Sequence, residues 1–177
     1  MSLLKWLGLA PEGTNAGNRL EEIERMLAPF GSDRARYLAC FAYILTRPAR
    51  ADHQVSDAEA QLMATLIAAR SGVTPEQAAT IVSIAREAAR QSGGTEDFLV
   101  TREFDRIATR DEKLELLDCL FAVGAADDSI LTIEDNEVRR VASELKLEHS
   151  DYIEVRRKHV ACLKVLQKPS EPLDPRT

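Results

Sequence analysis

The sequence predicts an all-α fold: a single-domain helical bundle of seven to eight helices with an internal pseudo-twofold repeat. Three observations carry that expectation. Hydrophobic residues make up 45% of the chain and aromatic residues 5%, with alanine and leucine supplying most of the apolar content and no β-branched alternation; such a balance favours helix packed on helix. Apolar residues recur at i, i+3, i+4 and i+7 through most of the chain. The order apolar helix, acidic turn, capped helix occurs twice. At 177 residues the chain is long enough to bury a core without cofactor or disulfide, since about 150 residues already hide roughly 68–70% of the unfolded surface.

The first amphipathic helix is expected over residues 20–30, where Leu20, Ile23, Leu27 and Phe30 share a face before a stop at Pro29-Phe-Gly31. A second begins at Asp33. Its residues 37–45, "YLACFAYIL", carry nothing strongly polar on any face, the mark of a helix surrounded by others. Ser56-Asp-Ala-Glu59 then reads as a capping box opening a third helix that buries Leu62, Met63, Leu66 and Ile67. Gly72 ends it, and Thr74-Pro-Glu-Gln77 starts a fourth with a cap, a proline at the first helical position and a box partner, turning Ile81, Val82 and Ala85 inward.

"SGGT", residues 92–95, is the clearest internal break, and Val100, Phe104 and Ile107 after it mark a short fifth helix. A sixth, from about Asp111, carries its charges early and then runs apolar through "CLFAVGAA", which makes it the second central helix. Thr132-Ile-Glu-Asp135 is read as the cap of a seventh, with Val138, Val141, Ala142 and Leu145 inward. An eighth starts near Ser150 and lines up Tyr152, Val155, His159, Cys162 and Leu166. The domain is expected over 19–167, between an N-terminal segment, 1–18, and a Pro-rich, disordered tail, 168–177.

A shift of 75 residues superposes Asp52 on Asp127, Val55 on Ile130, Glu59 on Glu134, Met63 on Val138 and Leu66 on Val141. The spacing is too long and the copies too few for a solenoid, so the repeat predicts two related halves, their apolar helices together in the core and their acidic turns on the surface.

Composition also excludes functions. A formal charge of −6 argues against nucleic-acid binding, which is driven by counterion release from a basic surface, and it disfavours anionic lipid. No apolar run approaches the roughly 18 residues of a membrane span, and "MSLLKWLGLAPEG" makes a poor signal peptide; a cytoplasmic protein is expected. The N-terminal stripe Leu3, Leu4 and Leu7 beside Trp6 packs on its own domain or docks weakly elsewhere. Cys40, Cys119 and Cys162 lack CxxC spacing and read as small core residues. The chain has no HExxH, ExxH pair, GxSxG, GxxxxGK or GxGxxG, so a non-enzyme is expected.

What remains is the acid. Residues 127–137 hold Asp127, Asp128, Glu134, Asp135 and Glu137 without one base. Two carboxylates about 6 Å apart repel by roughly 0.7 kcal/mol in water and about 2.8 kcal/mol at an effective dielectric near 20. A solvated cluster is tolerable; a half-buried one wants a cation. Glu59, Glu134, Asp135 and Glu137 stand in first helical turns, where negative charge gains about 0.3–1 kcal/mol from the helix dipole. Asp52, Asp127 and Asp128 precede the caps and are harder to assign to that role. If a hard cation such as calcium, magnesium or manganese binds, Asp52, Asp57, Glu59, Asp127, Asp128 and Glu134 supply its oxygens. The loops are not EF-hands, since none has a glycine at the sixth place or an acid at the twelfth. His53 is read as solvated, His149 as a helix-start residue and His159 as a hydrogen-bonded core histidine. "RRKH", 156–159, with Arg139 and Arg140 nearby, is read as a solvated face or a dock for an acidic partner, and Asp118 as solvated or paired with one of these arginines.

The order "YLACFAYIL", "RADHQVSDAE", "LFAVGAADDSILTIEDNEVRRVASELKL" resembles the tellurite-resistance TerB-like family over roughly residues 20–165. Asp52, Glu59, Asp127 and Glu134 match its acidic positions, while His53 and Asp128 stand where members often have glycine. The resemblance implies an all-helical bundle of seven or so helices without known catalytic activity, associated with tellurite and chemical stress responses. It further implies divalent-metal binding and links to membrane-associated complexes; a similar domain occurs in a DnaJ-type co-chaperone. The expected function is a cytoplasmic module binding a divalent cation or a basic protein partner. The alternatives are a purely structural or co-chaperone-like scaffold and, more remotely, a metal-dependent hydrolase.

Overall fold

A computed structural model describes residues 31–50, 55–90, 94–126 and 130–163. Outside them lie the N-terminal stripe, the helix expected over 20–30, Asp52, His53, Asp127, Asp128 and the tail. The described residues form seven α-helices and no strand: α1 (Ser32–Arg50), α2 (Asp57–Ser71), α3 (Pro75–Arg90), α4 (Gly94–Ile107), α5 (Arg110–Gly124), α6 (Thr132–Glu144) and α7 (His149–Lys158). A 3-10 turn at Val160–Cys162 follows, and Leu163 makes an isolated bridge to Ile130. Among these helices none is long and apolar enough to cross a membrane.

The two apolar helices are central, as their composition requires. From Leu38 to Ala49 every residue of α1 is buried, and α5 buries Leu116, Leu117, Cys119, Leu120, Phe121, Val123 and Gly124. The halves repeat: α1 packs on α2 and α3, α5 on α6 and α7, and each of α1 and α5 also packs on the capped helix of the other half and on its counterpart. In both copies the third helix runs parallel to the first. Arg50 at the end of α1 donates to the Ala89 carbonyl at the end of α3 (2.9 Å); Arg110 at the start of α5 donates to Asp151 at the start of α7 (2.5 Å). The helix α4 joins the halves and runs antiparallel to α1, pairing Arg36 with Glu103 (3.0 Å) and Arg50 with Asp97 (2.7 Å).

Helix ends follow local chemistry. Ser56 and Glu59 exchange the two bonds of a capping box (3.2 and 2.6 Å), satisfying amides that have no intrahelical partner. Gly72 ends α2 at φ 70°, left-handed backbone that costs glycine little. Thr74 and Gln77 form a second box (2.9 and 3.3 Å) ahead of Pro75.

Several expectations are corrected. The fifth helix is not short, since α4 runs 14 residues. Leu62 and Leu66 are only half-buried, because at 3.6 residues per turn they fall on one flank of the stripe that buries Met63 and Ile67; on the other flank Ala60, Ala64 and Ala68 border an open groove of about 660 Å3 against α3. The cap of α6 is Leu131, with Thr132 already the first helical residue. The last helix stops at Lys158, where the backbone tightens into the 3-10 turn. Asp118 pairs with His159 (3.1 Å) rather than with an arginine.

Candidate functional site

The acidic turns are built by the repeat. Each begins where a buried helix ends, at Arg50 and Gly124, and closes on a buried aliphatic side chain, Val55 or Ile130. The next helix then supplies one buried glutamate per turn, Glu59 at 6% and Glu134 at 4% exposure. Glu59 accepts from the Ser56 amide through Oε2, and Glu134 from the Leu131 amide through Oε2, both at 2.6 Å. The matching positions therefore do matching work, each fixing the entry angle of the helix after the turn. Leu131 has no side-chain acceptor, so the second copy keeps only the reach-back half of the box.

The same device recurs away from the turns. Glu112 accepts from the Thr109 amide (2.8 Å) and Asp151 from the Glu148 amide (3.1 Å). Capping thus accounts for one oxygen of Glu59 and of Glu134. Asp57 is different: its side chain is wholly exposed, with Arg86 at 3.3 Å, and Arg86 also donates to the Val55 carbonyl (2.6 Å), tying α3 to the end of the first turn.

The remaining acids of α6 face cations of the protein itself. Asp135 accepts from Tyr152 Oη (2.5 Å) and from Arg156 through Nε and Nη2 (3.0 and 2.8 Å). Burial pushes its carboxyl up, but the Arg156 and Tyr152 bonds outweigh that and hold it below the usual carboxylate range. Burial likewise pushes the Tyr152 hydroxyl up to about 12. Deeper still, Arg47 of α1 is 2% exposed and stretches between two turns of α6. It pairs with Glu137 (2.6 Å) and Glu144 (2.5 Å) and donates to Thr101 of α4 (2.7 Å). Sequence reading passed over Arg47, whose partners lie 90 and 97 residues away.

The bases of α7 divide. Arg156 is spent on Asp135, while Arg157 and Lys158 are exposed. Arg139 stands over the Tyr152 ring at 5.3 Å. His149 is the first residue of α7 and stacks near Tyr152; His159 stacks on Phe121 (5.4 Å) with its Nε2 toward Asp118, matching the hydrogen-bonded role expected of it.

Of the six expected ligands, Asp57, Glu59 and Glu134 are described, and they belong to the two separate turns. Among the described residues no three acids, histidines or cysteines group closely enough to hold a metal ion. A cation site here therefore requires Asp52, Asp127 or Asp128. The family model described as tellurite resistance protein TerB matches residues 38–157. No curated protein and no solved structure matches the chain.

Proposed function

The chain belongs to the tellurite resistance protein TerB family, and we propose that within it the protein is a non-enzymatic, cytoplasmic module whose acidic turns take up a divalent cation. Asp52, Asp127 and Asp128 are the primary oxygen donors of this reading, joined by Asp57, Glu59 and Glu134 at the helix starts. One observation carries it: both turns hang between a buried helix and a glutamate locked on a backbone amide 2.6 Å away. Anchoring a turn at both ends lowers the entropic cost of ordering it around a cation. Calcium, magnesium and manganese all accept such oxygen-only donors. The loaded turns then present a surface to a protein partner, including membrane-associated complexes, consistent with the tellurite and chemical-stress setting of the family.

Thermal melting in each of the three ions against a chelator tests the reading. A cation bound only by the folded chain adds about 2.7 kcal/mol at a hundred times Kd, which for a chain of this size raises Tm by about 5–11 °C. Asp127→Asn removes the shift, and Glu154→Gln, an exposed acid of α7, keeps it. Melting indifferent to all three ions sinks the cation.

A second reading is favoured by a specific observation: Asp135, Glu137 and Glu144 already hold Arg156 and Arg47. On that reading the acids are structural, the turns dock a basic protein segment directly, and the domain is a scaffold or co-chaperone-like unit. A metal-dependent hydrolase would instead show turnover that a chelator abolishes.

A further inference from the structure

The chain is acidic overall, at −6, yet one open cleft of about 700 Å3 is lined by Arg102, Arg106, Lys113 and Lys146 against only Glu103 and Asp105. It lies where the last turns of α4, the first turns of α5 and the residues after α6 meet. We propose that this cleft binds a dianionic oxyanion of the phosphate type, either free phosphate or the terminal group of a phosphomonoester.

The two acids form the floor, each side chain 8% exposed, and their oxygens are fully engaged. Asp105 accepts from Lys113 (2.7 Å) through Oδ1 and from Lys146 through Oδ2. Glu103 accepts from Arg36 (3.0 Å) and Arg106 (2.7 Å) through Oε1 and from Arg106 again (3.1 Å) through Oε2. Each carboxylate therefore answers two cations and neutralises one. Arg102 has no carboxylate partner among the described residues; it stands over the Phe98 ring at 5.8 Å.

Bases near helix C-termini have an ordinary reason to be there, since they offset the helix dipole. That reason covers Arg106 in the last turn of α4 and Lys146 just past α6. It does not explain two cations per acid, nor Arg102. The surplus faces outward: the Lys146 side chain is 77% exposed and that of Arg106 66%. Two guanidinium forks and an ammonium around a cleft of net positive charge form the donor set that suits a phosphate, whose oxygens accept from forks in pairs and from an ammonium as a point charge. A matched dianion also satisfies the cleft's excess of two cations.

Backbone amide shifts of the full chain, titrated with sodium phosphate and, separately, with O-phosphoserine at ionic strength held constant by sodium chloride, test the inference. Saturable shifts confined to residues 102–106, 113 and 146 are expected with at least one of them. Shifts with both mark a site open to phosphomonoesters; shifts with phosphate alone restrict it to the free ion. Arg102→Gln with Lys146→Gln should weaken the response at least tenfold, whereas Arg157→Gln with Lys158→Gln, on the exposed face of α7, leaves it intact. Shifts that fail to saturate, scatter over the surface, or survive the first pair of substitutions overturn it. The wild-type titration alone decides the matter if that pair proves unstable.

Discussion

Replacing Arg47 by methionine isolates a buried electrostatic contribution that ties α1 to α6. The guanidinium is 2% exposed and holds Glu137 and Glu144, whose side chains are 16% and 15% exposed. Burial alone would lower the arginine's pKa, but the two glutamates more than reverse that and hold it fully charged. Removing one member of a buried ion network costs about 3–5 kcal/mol, because the partners keep their charge without compensation. Both glutamates keep some contact with water, and Glu137 retains the weak pair with exposed Arg140 at 3.4 Å, so the loss should be about 3 kcal/mol rather than at the top of the range. In a domain of this size that lowers Tm by roughly 6–12 °C. Methionine keeps the length of the stem and leaves the core filled. Urea unfolding monitored by circular dichroism gives the difference directly. The control is Arg47→Met combined with Glu137→Leu and Glu144→Leu, since replacing an entire buried network by apolar groups is often neutral. The reasoning fails if the single substitution costs under about 1 kcal/mol, or if the triple variant is no more stable than the single one.

Two further outcomes follow from burial. Cys40 and Cys119 are 0% exposed, and desolvation pushes both thiols up to about 12; peptide mapping should find neither modified by a maleimide at pH 8 in the native chain and both modified in urea, and labelling of Cys40 or Cys119 in the native chain within minutes would refute it. Asp135, Glu103 and Asp105 all sit below the usual carboxylate range through their arginine, lysine and tyrosine partners. A depressed folded pKa gives stability that is fully present above the unfolded value, about 4, and is lost as pH falls through the folded one. Unfolding free energy should therefore be level between about pH 7 and 5 and drop below about 4, with Asp135→Asn flattening part of that acid limb; an unchanged limb in this variant would refute its share.

Much of the architecture was legible because it is local. The uninterrupted apolar character of residues 37–45 required a central helix; Ser56 and Thr74 marked their boundaries through bonds made within three residues, and Gly72 through its left-handed backbone. The misplaced start of α6 was recoverable from the repeat: a shift of 75 residues carries Ser56, the cap of α2, onto Leu131 and not onto Thr132. A threonine is the stronger capping residue by type, but the register is fixed by Ile130 in the core and by the reach of Glu134 back to residue 131. Thr109 and Glu112 form a complete box that the charge-rich stretch before α5 concealed. Arg47, Asp135 and Asp118 were beyond reach, since their partners are chosen by how helices cross, which no local pattern encodes. For the acidic turns the sequence supplied the composition and the repeat, and the structure added the anchoring of Glu59 and Glu134.

The exchange of neighbours between the two halves, in which α1 lies on α6 and α5 on α2 as well as on their own successors, ties the duplicate copies into one inheritance. Neither can be trimmed, swapped or lent to another protein without stripping the other bare. A lineage carrying this domain can vary its corners copy by copy, but it must keep or discard the pair together.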